Sequence, residues 1–288
     1  MGGSSTFRVP DPMASKAFKF LIGPNASPFN VDKETFAAIS PVLRTLMTGK
    51  MREAIDGCAV WEDVEVDDFV GLCEFAYTGD YAVPNIDQTA KKFPVRPNDE
   101  ADIEKYYKNL NIMRIVDFPS VSQSVSPGCG HTLFLRKFRE KCVPLSNIRH
   151  LAVPKITTSS PDWTETFMRH ARMYVLGDRY DVEGLRNIAF TRLACDLTRF
   201  TNTPDSLPSL ESLIQFIYDN TVESDRIRDM LAMFTACIFE NLILHPVMKH
   251  LFHEHFEFSR DVLQHVAERM RDHTVPPVQL QTECRRFI

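Results

Sequence analysis

Apolar and polar residues alternate near the start of the chain, as expected for β-strands that bury one face. The alternation covers Phe18–Ile22 and returns at Phe29 and Val31, after the turn sequence Gly-Pro-Asn at 23–25. Residues Cys58–Trp61 have the length and apolar content of a further short strand. The pattern therefore predicts three strands in the first part of the chain.

Capping residues mark the helices that separate these strands. Asp32 stands at the N-cap position before a predicted helix at Lys33–Ile39, and Ser40 followed by Pro41 begins the next helix. The second helix has an apolar stripe, and Gly49 is expected to close it in the left-handed conformation.

A third helix is predicted between Asp67, as its N-cap, and Gly79, as its end. Its apolar residues fall at i, i+3, i+4 and i+7 and so share one buried face: Phe69, Leu72, Cys73 and Ala76. Together with the strands, these helices predict a compact α+β unit over residues 16–86.

The composition changes between Pro84 and Pro161, where eight of the 18 prolines lie beside the serine-rich sequence PSVSQSVSPG. Proline removes a backbone donor and resists the interior of helices and strands, so most of this interval is predicted to be loop or disordered. One short helix is expected at DEADIEKYYKNL. The basic sequence LRKFREK, Leu135–Lys141, is predicted to be a solvated loop face and is a weak signal for nucleic acid.

After Pro161 the apolar spacing becomes helical. Five amphipathic helices are predicted, the last over Phe258–Met270 and ahead of the Pro276-Pro277 break. The buried faces of the first four are Phe167, Ala171 and Tyr174; Val182, Leu185, Ala189 and Leu193; Leu213, Ile214 and Ile217; and Ile227, Leu231, Phe234 and Ile238. Adjacent amphipathic helices with short connections bury one another, so this region is predicted to be a bundle.

These patterns divide the chain into a flexible N-terminus, a compact α+β domain, a Pro/Ser-rich insertion that is largely loop, an α-helical region and a tail, at 1–15, 16–86, 87–161, 162–275 and 276–288. The first residues, MGGSST, fit the N-myristoylation pattern at Gly2 and equally describe a flexible polar start.

Charge and composition narrow the classes of function. A net charge of −5 and a pI near 6.0 give little attraction to nucleic acid. No apolar run reaches the roughly 20 residues of a membrane-spanning helix, so no membrane span is expected. Seven scattered cysteines without a CxxC pair favour a reducing compartment, the cytoplasm or the nucleus.

Motifs for catalysis are absent: the sequence contains no G-x-S-x-G, P-loop or H-E-x-x-H, so the chain is predicted not to be an enzyme and to use no cofactor. The sequence contains two groups of metal-ligand residue types, and a metal site is not favoured in either. The first has the spacing of no known zinc finger and is expected to be plain loop: Cys129, His131, Cys142 and His150. The second is expected to be a solvated face on which His250 pairs with Glu254 by helical spacing: His245, His250, His253 and His255.

An ordered series of motifs in residues 16–86 resembles the BTB/POZ domain. The series comprises a strand leading into Val-x-Lys, a Ser-Pro-Val-Leu helix start, Met-x-Glu-Ala and a closing Tyr-Thr-Gly, at Val31 to Lys33, Ser40 to Leu43, Met51 to Ala54 and Tyr77 to Gly79. The segment His170–Phe190 resembles the helices that follow this domain in many BTB proteins of filamentous fungi. The resemblance implies the BTB fold, with residues 84–161 inserted before its last helices.

Two positions depart from the family pattern. The histidine that usually precedes the lysine is Asp32 here, and Ala17-Phe18 replaces the acid that often opens the first strand. Without that acid, the buried charge pair that some family dimers make cannot form with Lys33. The resemblance therefore does not imply homodimerisation by the family's usual route.

The resemblance implies a protein–protein interaction module. In family members that act as substrate adaptors of cullin–RING ubiquitin ligases, a hydrophobic-x-Glu motif after the second helix contacts the cullin. Met51 and Glu53 occupy that place, and the alternative is that Met51 packs inside the domain and Glu53 is a solvated loop acid. Tyr77 is a candidate for the border of the same surface, although its main role is expected to be that of a half-buried aromatic whose hydroxyl reaches solvent. A client protein would bind the helical region or the insertion. The alternative is an oligomeric scaffold or transcription-associated BTB protein with no ligase link.

Overall fold

A computed structural model describes residues 17–83, 130–142, 162–200 and 205–273. It is mostly helical, with a small mixed sheet near the N-terminus, as expected for the α+β class. Contacts divide the chain into two compact units. Unit 1 comprises the described residues up to Ala82 together with Arg172–Asn187, and unit 2 comprises the other described residues. The sequence-based boundaries had placed all of 162–275 in one helical region.

The sheet of unit 1 contains the three predicted strands, β1 (Ala17–Ile22), β2 (Ser27–Asp32) and β3 (Cys58–Trp61). Their order is β2-β1-β3, with β2 antiparallel and β3 parallel to the central β1. Gly23, at a φ of 72°, supplies the left-handed residue that the tight β1–β2 turn needs.

Four helices complete the N-terminal part of unit 1: α1 (Lys33–Ile39), α2 (Pro41–Thr48), α3 (Arg52–Asp56) and α4 (Val66–Thr78). The first two predicted caps are confirmed. The Asp32 side chain accepts a hydrogen bond from the Thr35 amide at 2.7 Å, and the Ser40 hydroxyl accepts one from the Leu43 amide at 3.1 Å. These bonds satisfy amide groups that have no partner inside the helices.

Two other predictions for helix ends are wrong. Gly49 is extended, with a φ of −71°, rather than left-handed. Glycine is needed there for space, because a Cβ would lie 2.4 Å from the Thr45 carbonyl oxygen. Asp67 lies in the first turn of α4, whose N-cap is Glu65 and makes no side-chain capping bond. Gly79 does close α4 in the left-handed conformation, at a φ of 75°.

The core of unit 1 is aromatic. The ring centroid of Phe20, on the central strand, lies 4.7 Å from that of Trp61, 5.0 Å from that of Phe69 and 5.2 Å from that of Phe18. All four side chains are buried. The buried face of β1, which includes Phe18 and Phe20, is therefore the surface against which α4 packs.

Unit 2 contains α5 (Gly130–Cys142), α8 (Leu207–Asn220), α9 (Arg226–Cys237), α10 (Phe239–Leu242), α11 (Pro246–Glu254) and α12 (Phe256–His273). Two further helices, α6 (Thr164–Arg179) and α7 (Glu183–Arg199), contribute residues to both units. Helix α9 contacts α5 and α12, and α8 contacts α11. The apolar faces predicted after Pro161 are all buried.

Helix α5 contradicts the prediction of a solvated loop at Leu135–Lys141. Phe134, Phe138 and Cys142 fall at i, i+4 and i+8 and are buried, and the Phe138 ring lies 5.9 Å from that of Phe234. The basic residues between them had suggested a solvated loop, although they only form the outer face of an amphipathic helix. The helix expected at DEADIEKYYKNL lies outside the described residues.

His170 gives unit 2 a predicted sensitivity to acid. Its buried Nε2 lies 3.0 Å from Oδ2 of Asp196. Burial lowers the pKa of His170 below its usual value of about 6.5. As the pH falls through that value, the unfolded chain gains a proton on this ring that the folded chain resists, so stability is lost.

Between pH 7 and pH 5.5 we expect the free energy of unfolding to fall more in the wild type than in His170→Gln, which cannot titrate. Urea unfolding of both proteins at the two pH values measures this difference. Equal losses in both proteins would contradict the assignment.

Candidate protein-docking site

The predicted docking residues Met51 and Glu53 lie at the start of α3 in unit 1. Met51 is the N-cap residue, with an extended backbone, and its side chain is 59% exposed. Glu53 lies in the first turn and is half-buried. Gly57, at a φ of 66°, ends the helix and donates its amide hydrogen to the Glu53 carbonyl. The thioether and the carboxylate are thus presented from one short, closed helix.

Sequence reasoning missed the most exposed apolar side chain of this helix. Ile55 is 75% exposed, more than Met51. Val42, on the neighbouring α2, is exposed as well, and α2 and α3 contact each other. The sequence signal was an isoleucine between Gly49 and Gly57, because a helix as short as five residues has few positions that the rest of the protein can bury. Several large apolar side chains exposed on adjacent elements are typical of a docking surface.

Tyr77, the third predicted docking residue, makes its described contacts at the junction of β2 and α1. It lies in the last turn of α4 and is 55% exposed. Its hydroxyl oxygen accepts a hydrogen bond from the Asp32 amide at 2.9 Å, and its ring packs against Phe36 with centroids 6.2 Å apart. These contacts tie α4 to the junction of β2 and α1, so the hydroxyl has a partner within the protein.

Residues Arg172–Asn187 support the start of α2. The Tyr180 ring stacks on Trp61 with centroids 3.9 Å apart and planes inclined by 10°, and the Tyr180 carbonyl accepts a hydrogen bond from the Ser40 hydroxyl at 2.5 Å. Arg179 pairs with Asp63 at 2.5 Å. Ser40 therefore caps α2 and anchors this distant segment at the same time. The sequence predicts only the capping role of Ser40.

Burial suppresses the reactivity of two cysteine thiols, those of Cys73 and Cys142. Burial, followed by the neighbouring Glu74 charge, raises the pKa of the Cys73 thiol in α4 to about 11. Burial likewise raises the pKa of Cys142 to about 12. A thiol with such a pKa stays protonated and is a poor nucleophile and metal ligand.

Neither group of metal-ligand residue types assembles within the part of the chain that the structure describes, which holds no group of three or more potential ligands. Of the first group, Cys142 is buried in α5, whereas Cys129, His150 and the His131 side chain lie outside the described residues. In the second group the predicted partner of His250 is wrong. His250 lies 3.7 Å from Glu211, and Glu254 pairs with His253 at 2.9 Å.

A cleft of about 450 Å³ opens between α5, α9 and α12 of unit 2. His265, which lines the cleft, lies 3.0 Å from Asp229, and Asp229 also pairs at 2.6 Å with Lys141, another lining residue. The hydrogen bond from His265, with that from Lys141, lowers the pKa of Asp229 to about 2. None of the seven described lining residues is a serine, threonine or cysteine: Phe134, Lys137, Glu140, Lys141, Met233, His265 and Glu268. The cleft thus offers a histidine–aspartate pair but no nucleophile of those types for it to activate.

Among the described helices, none combines the length and the apolar character needed to cross a membrane. Comparison with models of known protein families gives no match, and comparison with curated proteins gives no significant match.

Proposed function

We propose that the chain is a protein–protein interaction module of the BTB/POZ type, and that α2 and α3 of unit 1 form its docking surface for a cullin scaffold. The observation that carries the proposal is the exposure of Met51, the N-cap of α3, and of Ile55 within that five-residue helix, on either side of Glu53 in sequence. Exposed apolar residues on so short a helix stabilise the folded chain little, which favours a role in binding.

The family part of the proposal rests on the order of elements. Unit 1 runs through two strands, two helices, a third helix, a strand and α4, and it gains a helical segment at Arg172–Asn187 from beyond the proline-rich interval. The strands, the first two helices and α4 follow the order of the motif series, and α3 is an additional short helix at its Met-x-Glu-Ala motif, which supports the resemblance. The stacked pair of Trp61 and Tyr180 joins the two parts of the chain.

The docking chemistry follows from the residue types. A methionine thioether is flexible and polarizable, so it fills an irregular apolar pocket on a partner. A neighbouring carboxylate accepts charge-assisted hydrogen bonds and fixes the orientation of the complex. Ile55 adds apolar area beside them. A large residue buried at the centre of such a contact contributes most of the binding energy.

The test is binding of the full chain to a purified cullin, measured by titration calorimetry. Met51→Ala combined with Glu53→Ala is expected to weaken binding at least tenfold, because it removes the apolar anchor and the charged acceptor together. The matched control is Val60→Ala combined with Glu62→Ala. These exposed residues of unit 1 have the same hydrophobic-x-Glu spacing and are expected to leave affinity unchanged.

Equal weakening in the control pair would place the contact elsewhere on unit 1. No association of the wild type with a cullin would remove the ligase link and favour the second candidate function, an oligomeric scaffold. That candidate is supported by the sheet, in which β2 and β3 are both edge strands among the described strands. An open strand edge is a template for pairing with another chain.

A further inference from the structure

The exposed side of α3 carries a charged side chain beside its apolar residues. Arg52, the first residue of the helix, is 91% exposed. It precedes Ile55 by three residues, and residues three or four apart are neighbours on the surface of a helix. Met51 lies one turn before Ile55, whose amide donates a hydrogen bond to the Met51 carbonyl at 3.2 Å. We name these three exposed residues, Met51, Arg52 and Ile55, the α3 triplet.

Glu53 differs from Arg52 in both exposure and position. It is half-buried, and it precedes Ile55 by only two residues, a spacing at which side chains do not face each other on a helix. The charged group that neighbours Ile55 is therefore the Arg52 guanidinium rather than the Glu53 carboxylate. A contact through Arg52 would be separate from a contact through Glu53.

Arg52 pairs with Asp56 inside α3, but the pair is weak. The two atoms that meet, Nε of Arg52 and Oδ2 of Asp56, are 3.2 Å apart, and both side chains are exposed. Water solvates both charges, and the pair holds two flexible side chains in one geometry. The base also precedes the acid and stands at the N-terminus of the helix, which is the less favourable orientation. Arg52 can therefore exchange Asp56 for an acidic group on a partner.

The charge around the α3 triplet is positive, although the chain as a whole has a net charge of −5. Lys50 directly precedes Met51 and is exposed, and none of the residues that the structure describes forms an ion pair with it. Residues 41–57 contain three basic and two acidic side chains: Arg44, Lys50 and Arg52, and Glu53 and Asp56. Opposite charge across an interface speeds association and excludes partners of like charge. This surface is therefore complementary to an acidic one.

We propose that the α3 triplet recognises a protein surface on which an apolar pocket is bordered by a carboxylate. Met51 and Ile55 enter the pocket, and the Arg52 guanidinium, whose fork of N–H donors matches a carboxylate, donates to the acidic group. Lys50 adds attraction at longer range. The inference rests on the proposed docking function of α3 and names the chemistry of its partner. It makes Arg52 a specificity-determining residue, at a position that the Met-x-Glu-Ala motif leaves unspecified.

The first test is binding of the full chain to a purified cullin at low and at high salt. Arg52→Glu is expected to weaken binding roughly tenfold at low salt, because it sets one carboxylate against another. The difference from the wild type should shrink at high salt, which screens the charged contact. Arg136→Glu is the matched control. Arg136 makes an exposed i,i+4 pair with Glu140 in unit 2, so this variant has the same change in net charge and should bind like the wild type.

The second test is Asp56→Asn, which separates recognition from a structural role of the ion pair. The change removes the internal competitor for Arg52, so the affinity for the cullin should rise by about two- to fivefold. An ion pair that only supports α3 would give the opposite result, because its loss would lower the affinity or leave it unchanged. Either of those outcomes would overturn the inference.

The remaining outcomes distinguish this inference from the docking function on which it rests. Binding that is weakened by Met51→Ala combined with Glu53→Ala, but not by Arg52→Glu, would overturn the role of Arg52 and leave the docking function standing. No association of the wild type with the cullin would overturn both. A loss for Arg136→Glu equal to that for Arg52→Glu would show that net charge sets the affinity, and it would also overturn the role of Arg52.

Discussion

Replacing Trp61 with alanine is expected to lower the free energy of unfolding of unit 1 by about 3–5 kcal/mol. The indole is buried at the end of β3, where it stacks on Tyr180 and packs edge-on against Phe20 and Phe69. Its removal leaves a cavity among aromatic side chains that are fixed by the strand and by α4. The same change removes the ring on which the segment Arg172–Asn187 rests.

Urea unfolding followed by circular dichroism measures the loss, and hydrogen exchange of peptides from Arg172–Asn187 localises it. Exchange of these peptides should become faster, because Tyr180 loses its stacking partner. Val60→Ala is the matched control in the same strand, with an exposed side chain and an expected change within about 0.5 kcal/mol. If Trp61→Ala costs no more than this control, the stacked pair does not hold the segment in place.

Replacing Arg228 with alanine is expected to lower the free energy of unfolding of unit 2 by about 3–5 kcal/mol. The buried guanidinium donates to the carbonyl oxygens of Tyr218, at 2.7 Å, and of Thr221, and it pairs with Glu257. Its centre also lies 4.7 Å above the Tyr218 ring. These carbonyls belong to the C-terminal turn of α8, where the helix has no partners of its own for them.

The two members of this ion pair differ in burial, so their replacement is expected to have different effects on stability. Glu257 is half exposed, so Glu257→Gln leaves a solvated amide and should cost only about 1 kcal/mol. Arg228→Ala instead leaves the α8 carbonyls without donors. Arg226→Ala is the control, because Arg226 is exposed on the same helix and lies over the Phe190 ring at 4.7 Å. Thermal unfolding of the three variants measures their losses of stability, of which that for Arg228→Ala should be the largest. A loss of stability for Arg226→Ala equal to that for Arg228→Ala would contradict the prediction.

The candidate docking site was predictable only in part. The motif series predicts Met51 and Glu53 as docking residues, and the structure has an exposed Met51 and a half-buried Glu53 directly after α2. The series did not reveal Ile55, because exposure depends on what the rest of the chain covers. The series also did not predict that the Tyr77 hydroxyl accepts a hydrogen bond from the Asp32 amide, 45 residues away in sequence. The local spacing of residues cannot predict a hydrogen bond between residues so far apart in sequence.

Local patterns were enough to determine the three strands, the caps at Asp32 and Ser40, and the buried faces of the helices after Pro161. Each of these depends on interactions within a few residues, namely alternation, capping bonds and helical periodicity. Tertiary structure decided which contacts join Arg172–Asn187 to unit 1, namely those of Tyr180 with Ser40 and Trp61, and that the basic sequence around Phe138 is a helix. An apolar stripe indicates that a face is buried but not which face covers it, because burial is non-directional and any apolar surface can serve as the partner.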